Sequence, residues 1–265
     1  MKIGILGCGW LGLPLAKEFI KEGYKIKGST TSKDKLNELS NVGIEAFLIS
    51  LDEEGIQGDI EKFLESIDVL IINIPPKLRG NKKENFVAKI LHLIGEIEDT
   101  PIKKILFIGS TAIYANNNSN ITEQTKPEPE TESGIQLLKV EEILSANPNF
   151  KTTILRFGGL FNDDRHPANF LSGRKNVMNP NAPVNLIHLT DCIAIIKLIL
   201  KKNIWGKAFN AASPSHPTKK EYYTKQSLEK GLEPPEFNFG NPSQGKIIDS
   251  TKLINELNYK FKVYL

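Results

Sequence analysis

The sequence predicts an α/β fold, a doubly wound parallel sheet with a smaller lobe in the C-terminal third. Three observations predict it. Short apolar runs alternate with amphipathic ones through the first two thirds of the chain. The apolar runs are nearly continuous in Ile, Leu, Val and Phe, as strands buried on both faces require. The first run leads directly into a glycine-rich turn, "GCGWLG".

Each element follows from its own pattern. "KIGILG" reads as the first strand and "LPLAKEFIKEG" as a helix ending at Gly23. "YKIKGST" is the second strand and "SKDKLNELSN" the second helix. "IEAFLIS", "DVLIINI" and "KKILFIGS" are the third, fourth and fifth strands, with a helix from about Lys82 to Ile97 before the last. Ser133-x-x-Gln136 has the form of a capping box and is expected to open the next helix. "KTTILRF" is the sixth strand. After Arg156 the pattern loosens, through a Gly, Asn and Pro-containing stretch at 158–183. A strand-like "VNLIHL", a helix "DCIAIIKLILKK", a strand "KAFNAA" and a helix from about Thr218 follow. A short helical pattern, Lys252 to Leu257, comes near the end. Strands alternating with helices imply crossovers and a parallel sheet. Residues 115–132, "ANNNSNITEQTKPEPETE", hold one aliphatic residue besides the leading alanine. They read as a surface loop, a connector or a lid.

Composition excludes several classes. The chain has 265 residues, 40% hydrophobic and 25% charged, with a formal net charge of +3 and no tight Lys/Arg block. That is a weak footprint for nucleic-acid binding. No apolar run reaches the ~18 residues of a membrane helix. Lys2 and the apolar run after it could suggest a secretion signal, but glycines and Pro14 interrupt the run. Cys8 and Cys192 lie far apart with no C-x-x-C spacing. They suit a reducing cytoplasm and neither a disulfide framework nor a metal site.

The turn "GCGWLG" places Gly7, Gly9 and Gly12 in a G-x-G-x-x-G spacing between a strand and a helix, the context that gives this motif meaning. Gly7 permits the tight turn, Gly9 lets backbone approach a pyrophosphate, and Gly12 lets helix and strand pack closely. The amides of Trp10 and Leu11 then face anionic oxygens at a helix N-terminus. The expected fold is therefore Rossmann-type. Residues 1–160 would bind a dinucleotide, and 161–265 would form a smaller substrate lobe, some of its segments returning to the sheet. An NAD site places an acid ~20 residues past the glycines. Thr30 stands there, and the stretch "GSTTSKDK" has no acid until Asp34. Hydroxyls at Ser29, Thr30, Thr31 and Ser32 and cations at Lys33 and Lys35 would accept a 2′-phosphate. NADP is the expected cofactor, with NAD the alternative. Thr30, Thr31, Ser32 and Lys35 are its expected ligands, together with Asn73 at the end of the fourth strand.

Four segments, "GCGWLG", "FIGSTAIYA", "ILRFGGLF" and "NLIHLTD", resemble the extended short-chain dehydrogenase/reductases. More narrowly, "ESGIQLLKVEEIL", "DDRHPANFLSGRK" and "APVNLIHLTD" resemble an atypical bacterial subgroup, the YeeZ type, akin to NAD-dependent epimerases and dehydratases. The resemblance runs from Met1 to about Leu257. "GWLGLPLA" also resembles the loop of 6-phosphogluconate dehydrogenases, but the short chain and "GSTAIY" speak against that group. The resemblance implies an oxidoreductase or epimerase acting on a small anionic substrate, a nucleotide sugar being one candidate. Hydride chemistry would belong to the cofactor.

The resemblance also implies a catalytic set: a serine on the fifth strand and Tyr-x-x-x-Lys on the next helix. Ser110 holds the serine position, as catalytic residue and cofactor contact, and reads equally as a small residue ending a buried strand. Lys139 could be the lysine or a solvated helix residue. Ile135 stands where the tyrosine would be, and no Tyr-x-x-x-Lys occurs anywhere in the chain. Tyr114 reads as packing under the polar loop, and His188 as a core histidine held by Asp191. In "NDDRHPANF", His166 is the candidate acid or base. Arg165, His166 and Arg174 form the expected substrate cluster for a phosphate or carboxylate. The same stretch also reads as an exposed charged loop. The missing tyrosine keeps a rival open, an NADP-holding sensor without turnover.

Overall fold

Seven strands form one parallel sheet: β1 Lys2–Leu6, β2 Lys25–Thr30, β3 Glu45–Leu48, β4 Val69–Ile72, β5 Lys104–Ser110, β6 Lys151–Phe157 and β7 Ala208–Ala211. The computed structural model describes residues 1–76, 78 and 84–265. The spatial order is β7-β6-β5-β4-β1-β2-β3. The chain steps from β1 through β2 to β3 on one side, then crosses to β4 on the other. That reversal leaves a crevice at the C-terminal ends of β1 and β4, where open α/β sheets bind ligands.

Nine helices are described: α1 Gly12–Lys21, α2 Asp34–Asn41, α3 Ile60–Leu64, α4 Phe86–Glu98, α5 Glu132–Ala146, α6 Ala168–Leu171, α7 Leu189–Lys201, α8 Lys219–Glu229 and α9 Thr251–Leu257. They cover both faces of the sheet. On one face, Leu15 and Phe19 of α1, Ile195 and Ile199 of α7 and Leu257 of α9 share a core with Ile3, Ile5, Val69 and Ile71. On the other, Phe63 of α3, Ile90 and Leu93 of α4 and Leu137 and Leu144 of α5 pack with Leu70, Ile72, Ile105 and Phe107. Successive β4 residues thus alternate between two buried faces, which is why the strand reads as an unbroken apolar run. The C-terminal part returns α7 and β7 to the sheet. A small separate cluster holds Phe161, Val184, Leu186 and Tyr222.

Three boundaries differ from the sequence reading. Helix α4 begins at Phe86, because the Asn85 side chain caps it by accepting the Ala88 amide at 3.0 Å. Lys82, the expected start, lies outside the described residues. Helix α5 is capped by Thr131, whose hydroxyl accepts the Gly134 amide at 3.1 Å, and not by a Ser133–Gln136 box. Gln136 is used elsewhere: its side-chain oxygen accepts the Phe86 amide at 2.6 Å, tying α5 to the start of α4. The polar stretch 115–132 is not wholly superficial. Asn120–Ile121 pairs in parallel with Ile247–Ile248, and Ile121 is buried. No helix among the described residues is long and apolar enough to cross a membrane.

Candidate functional site

The glycine turn is held from both sides. Gly7 has φ +104°, in the left-handed region, and a Cβ there would meet the Asn73 carbonyl oxygen at 2.5 Å. Its amide donates to Ser29 Oγ at 2.9 Å, and its carbonyl accepts from Asn73 Nδ2 at 2.9 Å. Asn73 therefore braces the turn from the end of β4. A Cβ on Gly12 would stand 2.2 Å from the Gly7 carbonyl oxygen, so α1 starts only because that residue is bare. A Cβ on Gly9 would meet nothing within 4 Å. The Leu13 amide is already bonded to the Gly9 carbonyl at 3.0 Å and Pro14 has no N–H, so the open face of Gly9 and the start of α1 together form the accessible end of the turn.

Beside the turn lies a cavity of about 220 Å³. Leu6, Gly7, Cys8 and Gly9 line it after β1, Ser29, Thr30, Thr31, Ser32 and Lys35 after β2, and Asn73, Ile74 and Pro75 after β4. Ile49, Ser50, Leu51, Phe86 and Lys89 complete it. One wall is apolar and the other carries hydroxyls and Lys35. Among the described residues, no carboxylate lines it. Lys89 is paired with Glu84 at 2.5 Å. Thr30 Oγ1 accepts the Ser32 amide at 3.2 Å, which shapes the turn into α2. Phe86 and Lys89 come from α4, and no local pattern announces them. Burial pushes the Cys8 thiol up to about 12, so it is protonated at neutral pH. A larger, shallower groove of about 630 Å³, lined by Lys103, Lys104, Lys151 and Trp205 among others, lies at the N-terminal ends of β5 and β6, away from the crevice.

Ser110 closes β5 outside this cavity, and its Oγ accepts the Ala112 amide at 3.2 Å, capping a short 3-10 turn. On α5, Ile135 is 49% exposed and Lys139 points to solvent, 3.6 Å from Glu142. The apolar side of α5 instead buries Glu141. Its Oε2 accepts from Arg156 Nε at 2.9 Å and lies 2.8 Å from Nη2. Arg156 Nη1 donates to the Tyr114 hydroxyl at 2.6 Å, and that hydroxyl donates to Asn210 Oδ1 at 3.0 Å. Burial pushes both Glu141 and Tyr114 above their ordinary values, against the opposing pull of Arg156. Tyr114 thus packs under the polar loop. Sequence reasoning missed this network. The available signal was Arg156 inside an apolar strand, since a buried cation must find a partner.

The four residues singled out after β6 have different surroundings. His188 is half-buried, caps α7 by accepting the Thr190 amide at 3.2 Å, and is not held by Asp191. Asp191 instead accepts from Tyr259 and from the amides of Lys262 and Val263. His166 is 4% exposed. Its Nδ1 accepts the Ala168 amide at 3.2 Å and its Nε2 lies 3.5 Å from the Tyr222 hydroxyl. Burial, with Lys230 nearby, holds it below its ordinary value, so it is neutral at pH 7. That geometry is a packed structural histidine, against the expectation of an acid facing substrate. Arg165 points the other way, and its guanidinium lies 5.6 Å from the centre of the Trp10 ring. Arg174 is exposed, with its carbonyl accepting the Glu236 amide at 2.8 Å. Of the expected trio, His166 is buried while Arg165 and Arg174 are exposed.

An open parallel sheet of this order, with a braced glycine turn at its reversal, defines a Rossmann-type protein with the architecture of the NAD-dependent epimerases and dehydratases. Comparison with known proteins narrows the class. Protein YeeZ of Escherichia coli strain K12 is 32% identical over 264 residues, covering 98% of this chain and 96% of that one. The chain belongs to the family of protein YeeZ. Residues 2–126 also match the family described as the NAD binding domain of 6-phosphogluconate dehydrogenase. Among solved structures, UDP-glucuronic acid 4-epimerase from Bacillus cereus, in complex with NAD, superposes with a TM-score of 0.82 at 18% identity, covering 99% of this chain and 92% of that one. A functionally unknown conserved protein from Silicibacter pomeroyi DSS also gives 0.82 at 18%, covering 100% and 94%.

Proposed function

We propose that this chain is a cytoplasmic NADP-binding oxidoreductase or epimerase acting on a small anionic substrate, with nucleotide sugars the first class to test. Residues 1–160 hold the dinucleotide and 161–265 supply the substrate side. One observation carries the cofactor choice: the wall formed by Thr30, Thr31, Ser32 and Lys35 offers hydroxyls and a cation, and among the described residues no carboxylate lines the cavity. A 2′-phosphate meets attraction there, whereas a carboxylate would repel it. The amides at Gly9, Trp10 and Leu11 face the pyrophosphate, and Asn73 keeps the turn in shape. The nicotinamide supplies hydride transfer when bound. Ser110, at the end of β5, holds a substrate oxygen. The nucleotide-sugar class is supported by the fold shared with the B. cereus UDP-glucuronic acid epimerase. Free, buried Cys8 and Cys192 support a reducing compartment.

One observation favours the rival reading, a sensor that holds NADP without turnover. Ile135 is exposed where a proton-transferring tyrosine is expected, and an alkyl group moves no proton. Calorimetric titration with NADPH and NADH, followed by a screen of nucleotide sugars for change in reduced-nicotinamide absorbance, separates the cases. Hydride transfer supports the enzyme. Tight NADPH binding without transfer across the screen supports the sensor. No binding of either dinucleotide overturns both.

A further inference from the structure

We infer that Arg165 is a ligand for a diphosphate oxyanion lying on the glycine turn, contributed from the C-terminal part of the chain. The inference rests on the dinucleotide reading above and goes beyond it. The guanidinium of Arg165 lies over the Trp10 ring, within the ~6 Å of an effective cation–π contact. Trp10 directly follows Gly9, whose missing side chain leaves the turn open. A guanidinium held over a ring by its carbon presents its N–H groups at the rim, the fork that grips a phosphate in two places.

The surroundings of Arg165 are built to present it. Its own amide donates to Asn162 Oδ1 at 2.8 Å, fixing the turn before it. The next residue, His166, is locked into the small core, edge-on to Phe161 and stacked on Tyr222. The backbone is thus held on both sides while the Arg165 side chain stays exposed. Asp163 and Asp164 are close in sequence, yet among the described residues Arg165 has no ion-pair partner within 4.0 Å. The exposed guanidinium, set over the Trp10 ring beside the open face of Gly9, brings a cation to the glycine turn from a second part of the chain. The cofactor's pyrophosphate and the diphosphate of a nucleotide substrate share the chemistry this site recognises.

The test compares the full-length parent with Arg165→Ala and Arg165→Lys, titrating NADPH and, separately, UDP at one ionic strength. Arg165 is exposed, so thermal midpoints should match the parent. Losing one charge-assisted diphosphate contact weakens binding by about tenfold or more. Lysine, with charge but no fork, falls between. Weakened NADPH binding assigns the site to the cofactor's pyrophosphate. Unchanged NADPH affinity with weakened UDP takes the diphosphate off the glycine turn and overturns the inference. If neither affinity moves in Arg165→Ala, the inference is overturned and the Trp10 contact is only surface packing. If the parent binds neither ligand, the dinucleotide reading itself falls, and this inference with it.

Discussion

The hydroxyl of Tyr259 donates to the buried carboxylate of Asp191 at 2.5 Å. The same carboxylate accepts the amides of Lys262 at 2.8 Å and Val263 at 3.2 Å. Asp191 sits in the first turn of α7, so one side chain gathers the last residues of the chain onto the core. Burying a carboxylate is costly unless its lone pairs are used. Here three donors use them.

Removing that hydroxyl should therefore be expensive. Tyr259→Phe is expected to lose about 1.5–3 kcal/mol, the range for a hydrogen bond to a charged group, read from urea unfolding. The pH dependence has a definite sign. Burial, and next the Asp191 carboxylate, raise the Tyr259 hydroxyl above its ordinary value. The folded state then holds that proton more tightly than the unfolded chain. The stabilisation is complete below the unfolded tyrosine value, about 10, and is lost as pH rises through the folded one. Tyr259→Phe should flatten the alkaline fall in stability. An unchanged alkaline limb would show that Tyr259 does not control it.

Much of this fold was legible because the signals are local. A strand buried on both faces must be apolar at every position, as "VLII" of β4 is, and a glycine turn keeps its three glycines within six residues. The hydroxyl and lysine wall after β2 was legible for the same reason. What failed was long-range. Nothing near Asp191 in sequence announces Tyr259, and nothing near Trp10 announces Arg165. His166 lies among polar neighbours, yet Phe161 and Tyr222 enclose it. The α5 cap was a choice between two hydroxyl residues. Thr131 took it, while Gln136 is engaged by α4.

Gly9 and Gly12 should separate binding from folding. Gly12→Val forces a side chain onto the Gly7 carbonyl at 2.2 Å, where only backbone can give way. Overpacking costs about 1–3 kcal/mol, and more when backbone must shift, so this variant should melt well below the parent. Gly9→Val meets no protein atom and should melt like the parent while losing dinucleotide binding. Normal NADPH affinity in Gly9→Val, measured by calorimetry, would remove the turn from the site.

Cofactor selectivity should lie in the wall after β2. The parent should bind NADP about tenfold more tightly than NAD, roughly 1.4 kcal/mol. Lys35→Glu should weaken NADP and leave NAD nearly unchanged, because only the 2′-phosphate meets the new charge. Thr30→Asp should reverse the preference by repelling the phosphate and accepting from a 2′-hydroxyl. Paired titrations at a single salt concentration test this, since surface charges are screened by salt. Equal NADP and NAD affinities in the parent would count against the assignment.

His166 should behave as a structural group that dislikes protonation. Burial lowers its proton affinity first, and Lys230 and His188 add to that, while Asp163 and Glu229 oppose it. Its Nδ1 must stay unprotonated to accept the Ala168 amide. The unfolded chain takes up this proton near pH 6.5, the folded chain only at lower pH. The stabilisation is therefore present above about 6.5 and is lost as pH falls through the folded value. His166→Asn keeps an acceptor for the Ala168 amide but cannot titrate. It should lower the thermal midpoint at pH 7, through the space the ring vacates, yet show a shallower decline between about pH 7 and pH 5. His216, also held low by burial, leaves part of the acid limb in place. NADP affinity should not change, because His166 faces Phe161 and Tyr222 and does not line the crevice. If an NADP-dependent turnover is found and His166→Asn lowers it by about 10² or more while the protein remains folded, the loss is that of a general acid or base. The structural assignment of His166 would then be wrong.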